Sequence, residues 1–356
     1  MANHAFLEKI TTVPGISGYE KNVAEVFEDY LTGCVDSFEH DRLGSVVAIK
    51  KGKTPLKVML AAHIDEIGFI VKDIDKDGFI QVQPIGGWQG KNIPAGLFEI
   101  ITRDQKHIRG VMEGSTKVKG PEARNMAPLP TDVFLDIGVQ NLEQVKEAGV
   151  RIGDPIIPVS EFSVMTHPRY LMSKAWDDRA GVAVIAEVMR NLKDVETEAT
   201  IYAAGTVQEE VGLRGAKTMG QMVQPDVAFA LDVCFSKDIP EGETGDVRLG
   251  CGAVLGVLDG SVIAHTGLLK HMEKICAKLG VSYQLDVLVG GGTDSGELSK
   301  VGPGVVNMTL SIPSRYMHSH RTIICEDDLD ATVAILTEFC RTINAEILEE
   351  IKRDKQ

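Results

Sequence analysis

The sequence predicts a mixed-sheet, helix-flanked α/β domain that carries an inserted small β-barrel-like domain. Apolar runs of strand length alternate with helical patterns near both ends of the chain. Between them, short strand patterns separated by glycine-containing turns dominate residues 70–160. Because the alternation lies on both sides of this segment, we expect a discontinuous α/β domain of residues 1–69 and 161–356, with 70–160 as the insert.

Periodicity predicts the individual elements. In the segment 20–31, for example, Val23, Phe27, Tyr30 and Leu31 share one helical face. The predicted helices are 5–12, 20–31, 142–148, 177–192, 213–222, 266–279 and 326–352. The predicted strands are 45–50, 57–62, 67–74, 79–85, 97–102, 108–112, 133–139, 199–207, 226–232, 283–289 and 304–311.

Composition limits the class of protein. Of the 356 residues, 44% are hydrophobic and 25% charged, which is typical of a globular protein. The net charge of -14 argues against nucleic acid or an anionic membrane as a partner, because both attract basic surfaces. No apolar run approaches a membrane span, and the first ten residues lack the pattern of a signal peptide. The six scattered cysteines favour reduced thiols in a cytoplasmic protein.

Several predicted strands lead into residues that bind metals. Open α/β sheets bind ligands beyond the carboxyl ends of their strands, so these residues are expected to meet in one crevice. Histidine, aspartate and glutamate together suit zinc or a similar divalent ion. Taken alone, the aspartate pair at the start of the helix 177–192 could simply cap it. The residues in question are His63, Asp65, Asp177, Glu209, Glu210, Asp232 and His318.

Two other motifs have simpler interpretations. Residues 73–78 match the start of an EF-hand loop, but its twelfth position is Pro84 rather than glutamate. We expect a hairpin turn at Asp77 and Gly78 instead. The glycine-rich segment 290–296 lacks the spacing of a phosphate loop and is interpreted as a tight turn from strand to helix.

The ordered set of motifs resembles the glutamyl and tetrahedral aminopeptidase family of co-catalytic dinuclear metallopeptidases, relatives of which have been labelled endoglucanases. The resemblance covers essentially the whole chain. It is carried by the segments 62–68, 175–177, 207–216 and 291–294, together with Asp232 and the sequence Tyr316-Met317-His318-Ser319.

The resemblance implies a role for each candidate residue. One metal would be held by His63, Asp177 and Glu210. The other would be held by Asp177, Asp232 and His318, so that Asp177 bridges the two ions. A cis peptide bond between Asp177 and Asp178 is also implied.

The catalytic and substrate-binding residues follow from the same resemblance. Glu209 would act as general base on a metal-bridging water, and Asp65 would accept the second ring proton of His63. The substrate would approach Gly292, Thr293 and Asp294.

The implied activity is hydrolysis of N-terminal residues from short peptides that have a free amine. The cofactors would be two divalent ions per subunit, zinc in the first place, with cobalt or manganese compatible. The insert would drive self-association, up to a tetrahedral dodecamer.

Three other functions remain open from the sequence. Paired carboxylates would also suit a metal-independent glycoside hydrolase, although the chain has only 5% aromatic residues with which to bind sugars. A deacylase or carboxypeptidase could use the same metals. A peptide-binding protein without catalysis would not need Glu209.

Overall fold

The computed structural model describes residues 3–114, 126–240 and 245–354. In these ranges the chain forms a mixed sheet and a closed barrel, as the fold class predicted. The strands are β1 (Ser37–His40), β2 (Val46–Lys50), β3 (Lys57–His63), β4 (Gly68–Ile74), β5 (Ile80–Ile85), β6 (Gly96–Ile101), β7 (His107–Gly114), β8 (Val133–Asp136), β9 (Pro155–Pro158), β10 (Ser163–Val164), β11 (Tyr170–Ser173), β12 (Thr200–Thr206), β13 (Val227–Phe235), β14 (Ala253–Leu258), β15 (Tyr283–Val287), β16 (Val306–Arg315) and β17 (Thr322–Cys325).

Helices cover both faces of the sheet. They are α1 (His4–Thr12), α2 (Lys21–Leu31), α4 (Trp176–Asn191), α5 (Arg214–Val223), α6 (Thr266–Leu279), α7 (Ser295–Leu298), α8 (Glu326–Thr342) and α9 (Ala345–Arg353), whereas α3 (Leu142–Ala148) packs against the barrel. Within the described ranges, none of these helices is long and apolar enough to cross a membrane.

The sheet brings several strand ends to one edge. Its order is β1-β2-β12-β3-β13-β16-β17-β11-β10, with β14 beside β16 and β15 beside β14. Strand β3 runs parallel to β12 and β13, and β13 runs parallel to β16. Strands β11 and β16 are each antiparallel to β17, so β11 points the same way as β16. The carboxyl ends of all five strands therefore lie at the same edge.

Strand β3 is apolar along its length because it is buried on both faces. Val58 and Leu60 belong to the core under α4, whereas Met59 and Ala61 pack with α5 and α7 on the opposite face. A strand covered on both sides gives a continuous apolar run rather than an alternating one. Its last residue, His63, is paired with Thr206 of β12.

The barrel has a core of its own, into which one residue of the α/β part inserts. Phe69, Trp88 and Phe98 are buried there. The ring of His320, from the loop after β16, lies 4.6 Å from the Phe98 ring and 5.6 Å from the Trp88 ring between centroids. The loop that carries His318 is therefore anchored in the barrel.

Two local predictions can be compared directly with the structure. The turn at Asp77 and Gly78 joins β4 to β5 as a hairpin, as expected. The prediction of a single helix over 326–352 is wrong, because the helix is interrupted between α8 and α9. Asn344 has an extended backbone there, and its side chain caps α9 by accepting from Ile347 N at 2.9 Å.

Candidate active site

The expected metal-binding side chains lie together at the strand-end edge. His63 ends β3, Glu210 follows β12, and His318 follows β16. Asp177 begins α4 shortly after β11. Asp232 departs from the prediction in one respect, since it lies within β13 rather than beyond its end.

Asp177 occupies the centre of this group. Its Oδ1 lies 3.0 Å from His63 Nε2, and its Oδ2 lies 3.2 Å from His318 Nε2. Asp177 and Asp178 have non-helical backbone angles, and the peptide bond between them is cis. One carboxylate thus presents each oxygen to a different histidine, which is the arrangement that a bridging ligand needs.

Two groups of ligand atoms share Asp177. The first is His63, Asp177 and Asp232, and the second is Asp177, Glu210 and His318; within each group the ligand atoms lie within 4.8 Å of one another. The structure therefore groups Asp232 with His63 and Glu210 with His318, which is the reverse of the grouping that the resemblance implies. Glu210 Oε1 is buried without a hydrogen-bond partner among the described residues, as expected of an atom that ligates an ion.

Asp65 fixes the backbone that carries the adjacent glutamates. Its Oδ1 accepts from Glu209 N at 3.0 Å and its Oδ2 accepts from Glu210 N at 3.2 Å. Ser17 Oγ donates to the same Oδ2 at 2.6 Å. The nearest acceptor to His63 Nδ1 is the Asp65 carbonyl oxygen at 3.2 Å, while Oδ1 lies at 3.4 Å. Asp65 therefore contacts the ring partly through its backbone, which the sequence did not indicate.

Negative charge is concentrated in the site. Burial raises the pKa of Glu210 to about 7, and the charge of Asp177 adds to this. Burial also raises the pKa of Asp232 and that of Glu209 well above their usual range. Burial lowers the pKa of His318, but the contact with Asp177 and the charge of Glu210 outweigh it and raise that pKa to about 10. Buried carboxylates that retain protons this strongly would also be stabilised by a bound cation, because either one compensates their negative charge.

A cavity of about 440 Å³ opens above these side chains. Gly292 and Thr293 line it, whereas Asp294 is buried and its Oδ2 accepts from Thr206 Oγ1 at 2.5 Å. Gly87 of the barrel also lines the cavity, and its carbonyl oxygen lies 2.5 Å from His318 Nδ1. Nothing in the sequence marks this backbone group, because any residue could supply the carbonyl.

A cluster of buried, charged side chains lies beside the candidate site and was not predicted from the sequence. Lys174 Nζ contacts Glu66 Oε1 at 2.6 Å and Oε2 at 2.8 Å. Arg179 donates to the carbonyl oxygens of Ile10 at 2.6 Å and Gly15 at 3.2 Å. These contacts connect the N-terminal segment to β3 and α4. Glu66 lies three residues after His63, and Arg179 lies two residues after Asp177, so the cluster links the segments that carry these two candidate ligands.

The fold and the gathered side chains place this protein among the peptidase hydrolases. The M42 glutamyl aminopeptidase family matches residues 44–335, and the chain belongs to that family. The glutamyl aminopeptidase of Lactococcus lactis is 32% identical over 350 residues, which covers 97% of this chain and 98% of that protein. The lysyl aminopeptidase of Pyrococcus furiosus is 32% identical over 360 residues, which covers 99% of this chain and 98% of that protein.

Solved structures show the same fold. A TET aminopeptidase from a marine sediment archaeon of the Thaumarchaeota superimposes with a TM-score of 0.94 at 32% identity, covering 98% of this chain and 99% of that chain. A TET peptidase of Pyrococcus horikoshii superimposes with a TM-score of 0.85 at 29% identity, covering 96% of this chain and 99% of that chain. It is described as able to assemble into a tetrahedron or a large octahedral shell.

The Glu20 side chain binds the backbone just before Glu209. Its Oε1 accepts from Gly18 N at 2.7 Å and from Gln208 N at 3.1 Å. The side chain is only 4% exposed, and burial raises the pKa of Glu20 from 4.5 to about 7. A carboxyl whose pKa is raised by folding stabilises the protein below the unfolded pKa, and this contribution is lost as pH rises through the folded pKa.

Glu20→Gln removes this titration but keeps an acceptor oxygen. The free energy of unfolding of the variant should therefore rise relative to that of the wild type by about 3 kcal/mol between pH 4.5 and pH 8. Urea denaturation across that pH range measures the difference. Glu25→Gln, at an exposed position of α2, is the control and should show no such trend. A difference for Glu20→Gln that does not change with pH would contradict the prediction.

Proposed function

We propose that this peptidase removes N-terminal residues from short peptides, using two divalent ions and Glu209 as the general base. The observation that carries the proposal is the charge of the cavity. Its charged lining residues are Asp177, Glu209, Glu210, Asp232 and His318, and no described lysine or arginine lines it. The ammonium group of a free N-terminus would therefore meet no repelling lysine or arginine among the described lining residues.

The same observation argues against a carboxypeptidase or a deacylase that recognises a carboxylate. Such a substrate would bring a further negative charge beside the buried acids, and among the described lining residues no cation would meet it. The cavity also offers few aromatic side chains on which a sugar ring could stack. Phe235 is the one aromatic side chain among its described lining residues. A glycoside hydrolase is therefore the weaker alternative.

Two ions would be held in this proposal by the two groups that share Asp177. His63 and Asp232 would complete one ligand set, and Glu210 and His318 the other. The two imidazoles and the carboxylates suit zinc, and cobalt or manganese would also be compatible. When bound, the ions would lower the pKa of water and polarise the scissile carbonyl group.

In this proposal Glu209 moves the proton. Its Oε2 lies 3.9 Å from His63 Nε2, beside both ligand groups, and its side chain lines the cavity. Glu209 would take a proton from the attacking water and pass it to the leaving amine. Burial raises the pKa of the Glu209 carboxyl, which makes it a stronger base. Asp65, which binds the Glu209 amide, would be a positioning residue.

We also propose that the insert mediates self-association to a dodecamer and that the protein works in the cytoplasm. The proposed domains are 1–69 with 161–356, and 70–160. The barrel supports this proposal through its exposed apolar side chains. Leu97 and Val111 face each other across β6 and β7 and are 39% and 47% exposed.

Turnover of amino-acid anilides tests the activity. Free-amine substrates should be hydrolysed, their N-acetylated forms should not, and a chelator should abolish turnover until divalent metal is restored. The physical reason is that no described lysine or arginine in the cavity would repel a substrate's ammonium group, and that its clustered carboxylates would bind divalent ions. Chelator-resistant activity, or equal turnover of acetylated substrates, would sink the proposal.

Glu209→Gln tests the general base. The substitution keeps the size of the side chain but removes its ability to accept a proton, so kcat should fall about 10²- to 10⁴-fold. Metal content measured by atomic emission should stay near two ions per chain. The neighbouring Glu210→Gln is the matched contrast, because it should lose metal as well as activity. Nearly normal kcat in a metal-loaded Glu209→Gln enzyme would rule out the assigned role.

Native mass spectrometry tests the assembly. The wild type should appear at twelve times the subunit mass. Val111→Asp should release smaller species, because a charge would be buried in the interface. Ile263→Asp, at an exposed position outside the barrel, should leave the assembly intact. A monomeric wild type, or a Val111→Asp protein that still forms the full particle, would contradict the assembly proposal.

A further inference from the structure

The walls of the active-site cavity differ in character from its floor. The floor consists of the carboxylates and His318 described above. The walls come from the loop after β12, the end of β13, the loop after β15 and the loop after β16. Their side chains are mostly apolar, namely Leu213, Val233, Cys234, Phe235, Leu288 and Met317.

These walls surround the space that any side chain beside the reacting bond would occupy. Gly212, Gly291 and Gly292 also line the cavity and have no side chain that would narrow it. Its volume of about 440 Å³ accommodates a large residue. Because all four wall segments are apolar, contact with any of them removes hydrocarbon surface from water.

An acidic N-terminal residue has no partner in this cavity. Among the described lining residues, no lysine or arginine lies where its carboxylate could be bound. The Glu209 carboxylate, which belongs to neither ligand group, would repel it.

A basic N-terminal residue also lacks a free partner among the described lining residues. In the proposed function, Asp177, Glu210 and Asp232 bind the two ions, and Glu209 is the general base. Two further acids, Asp259 and Asp286, line a separate cavity of about 20 Å³, which Cys234 and Thr293 also line. That volume holds about one water molecule and cannot admit a lysine side chain. Asp259 is in addition occupied, since it accepts from Ser261 N at 2.6 Å and from Thr293 Oγ1 at 2.9 Å.

We propose that the enzyme selects peptides whose N-terminal residue has a large, neutral, apolar side chain, of the size of leucine, methionine or phenylalanine. The inference rests on the proposed aminopeptidase function of the same site. It assigns Leu213, Leu288 and Phe235 as the residues that determine specificity. The relatives named for glutamyl and lysyl substrates share only about a third of their residues with this chain, and the described walls supply neither a cation nor an open acid for such side chains.

The first experiment measures kcat/KM for aminoacyl-coumarin substrates of leucine, methionine, phenylalanine, alanine, glutamate and lysine with the metal-loaded enzyme. The leucine substrate should exceed alanine about 10- to 100-fold, and it should exceed glutamate and lysine about 100-fold. A preference for glutamate or lysine overturns the specificity while leaving the aminopeptidase function intact. Absence of turnover on every free-amine substrate overturns both.

The second experiment places a cation in the wall. Leu288→Lys should lower kcat/KM for the leucine substrate at least 10-fold and raise the glutamate-to-leucine ratio at least 100-fold. The matched control is Leu285→Lys, three residues earlier, where the side chain is 51% exposed and does not line the cavity. Its ratio should stay within about threefold of the wild type.

Circular dichroism and metal content confirm that each variant is folded and loaded. If Leu288→Lys fails to fold, Leu213→Lys on the neighbouring wall segment serves the same purpose. A folded, loaded wall variant whose glutamate-to-leucine ratio equals that of Leu285→Lys would overturn the assignment.

Discussion

The carboxylate of Asp177 lies between two histidines, and the rest of the site is arranged around this contact. Each histidine comes from a different strand end and faces a different oxygen of Asp177. The opposite ring nitrogens lie against backbone carbonyls, those of Asp65 and Gly87. Fixing one nitrogen of an imidazole aims the other. The orientation of both rings therefore depends mainly on the course of the backbone.

The charge of the site follows from the same geometry. Parallel strands that end at one edge bring Glu209, Glu210 and Asp232 close to Asp177 in a buried place, where water cannot screen them. Burial raises the pKa of all three, which means that the folded chain holds protons there unless a stronger cation replaces them. Strong proton retention and affinity for metal are two results of the same packing.

Much of the fold could be predicted because its strongest signals are local. The apolar run before His63 and the hairpin at Asp77 and Gly78 depend on neighbouring residues only. The break at Asn344 was missed because the apolar periodicity continues through it. Which histidine Asp232 and Glu210 each accompany could not be predicted, because it depends on which strands are neighbours in the sheet.

The contact between Gly87 and His318 has a consequence for how the barrel should be regarded. An insert is often treated as a removable accessory, joined to a self-sufficient catalytic unit. Here the barrel supplies the carbonyl that orients His318, and its aromatic core encloses His320 two residues later. Without the barrel, the His318 imidazole of the second ligand group would lose the carbonyl oxygen that fixes its orientation. The barrel and the rest of the chain thus meet at the candidate site, and a shift of the barrel would also shift His318.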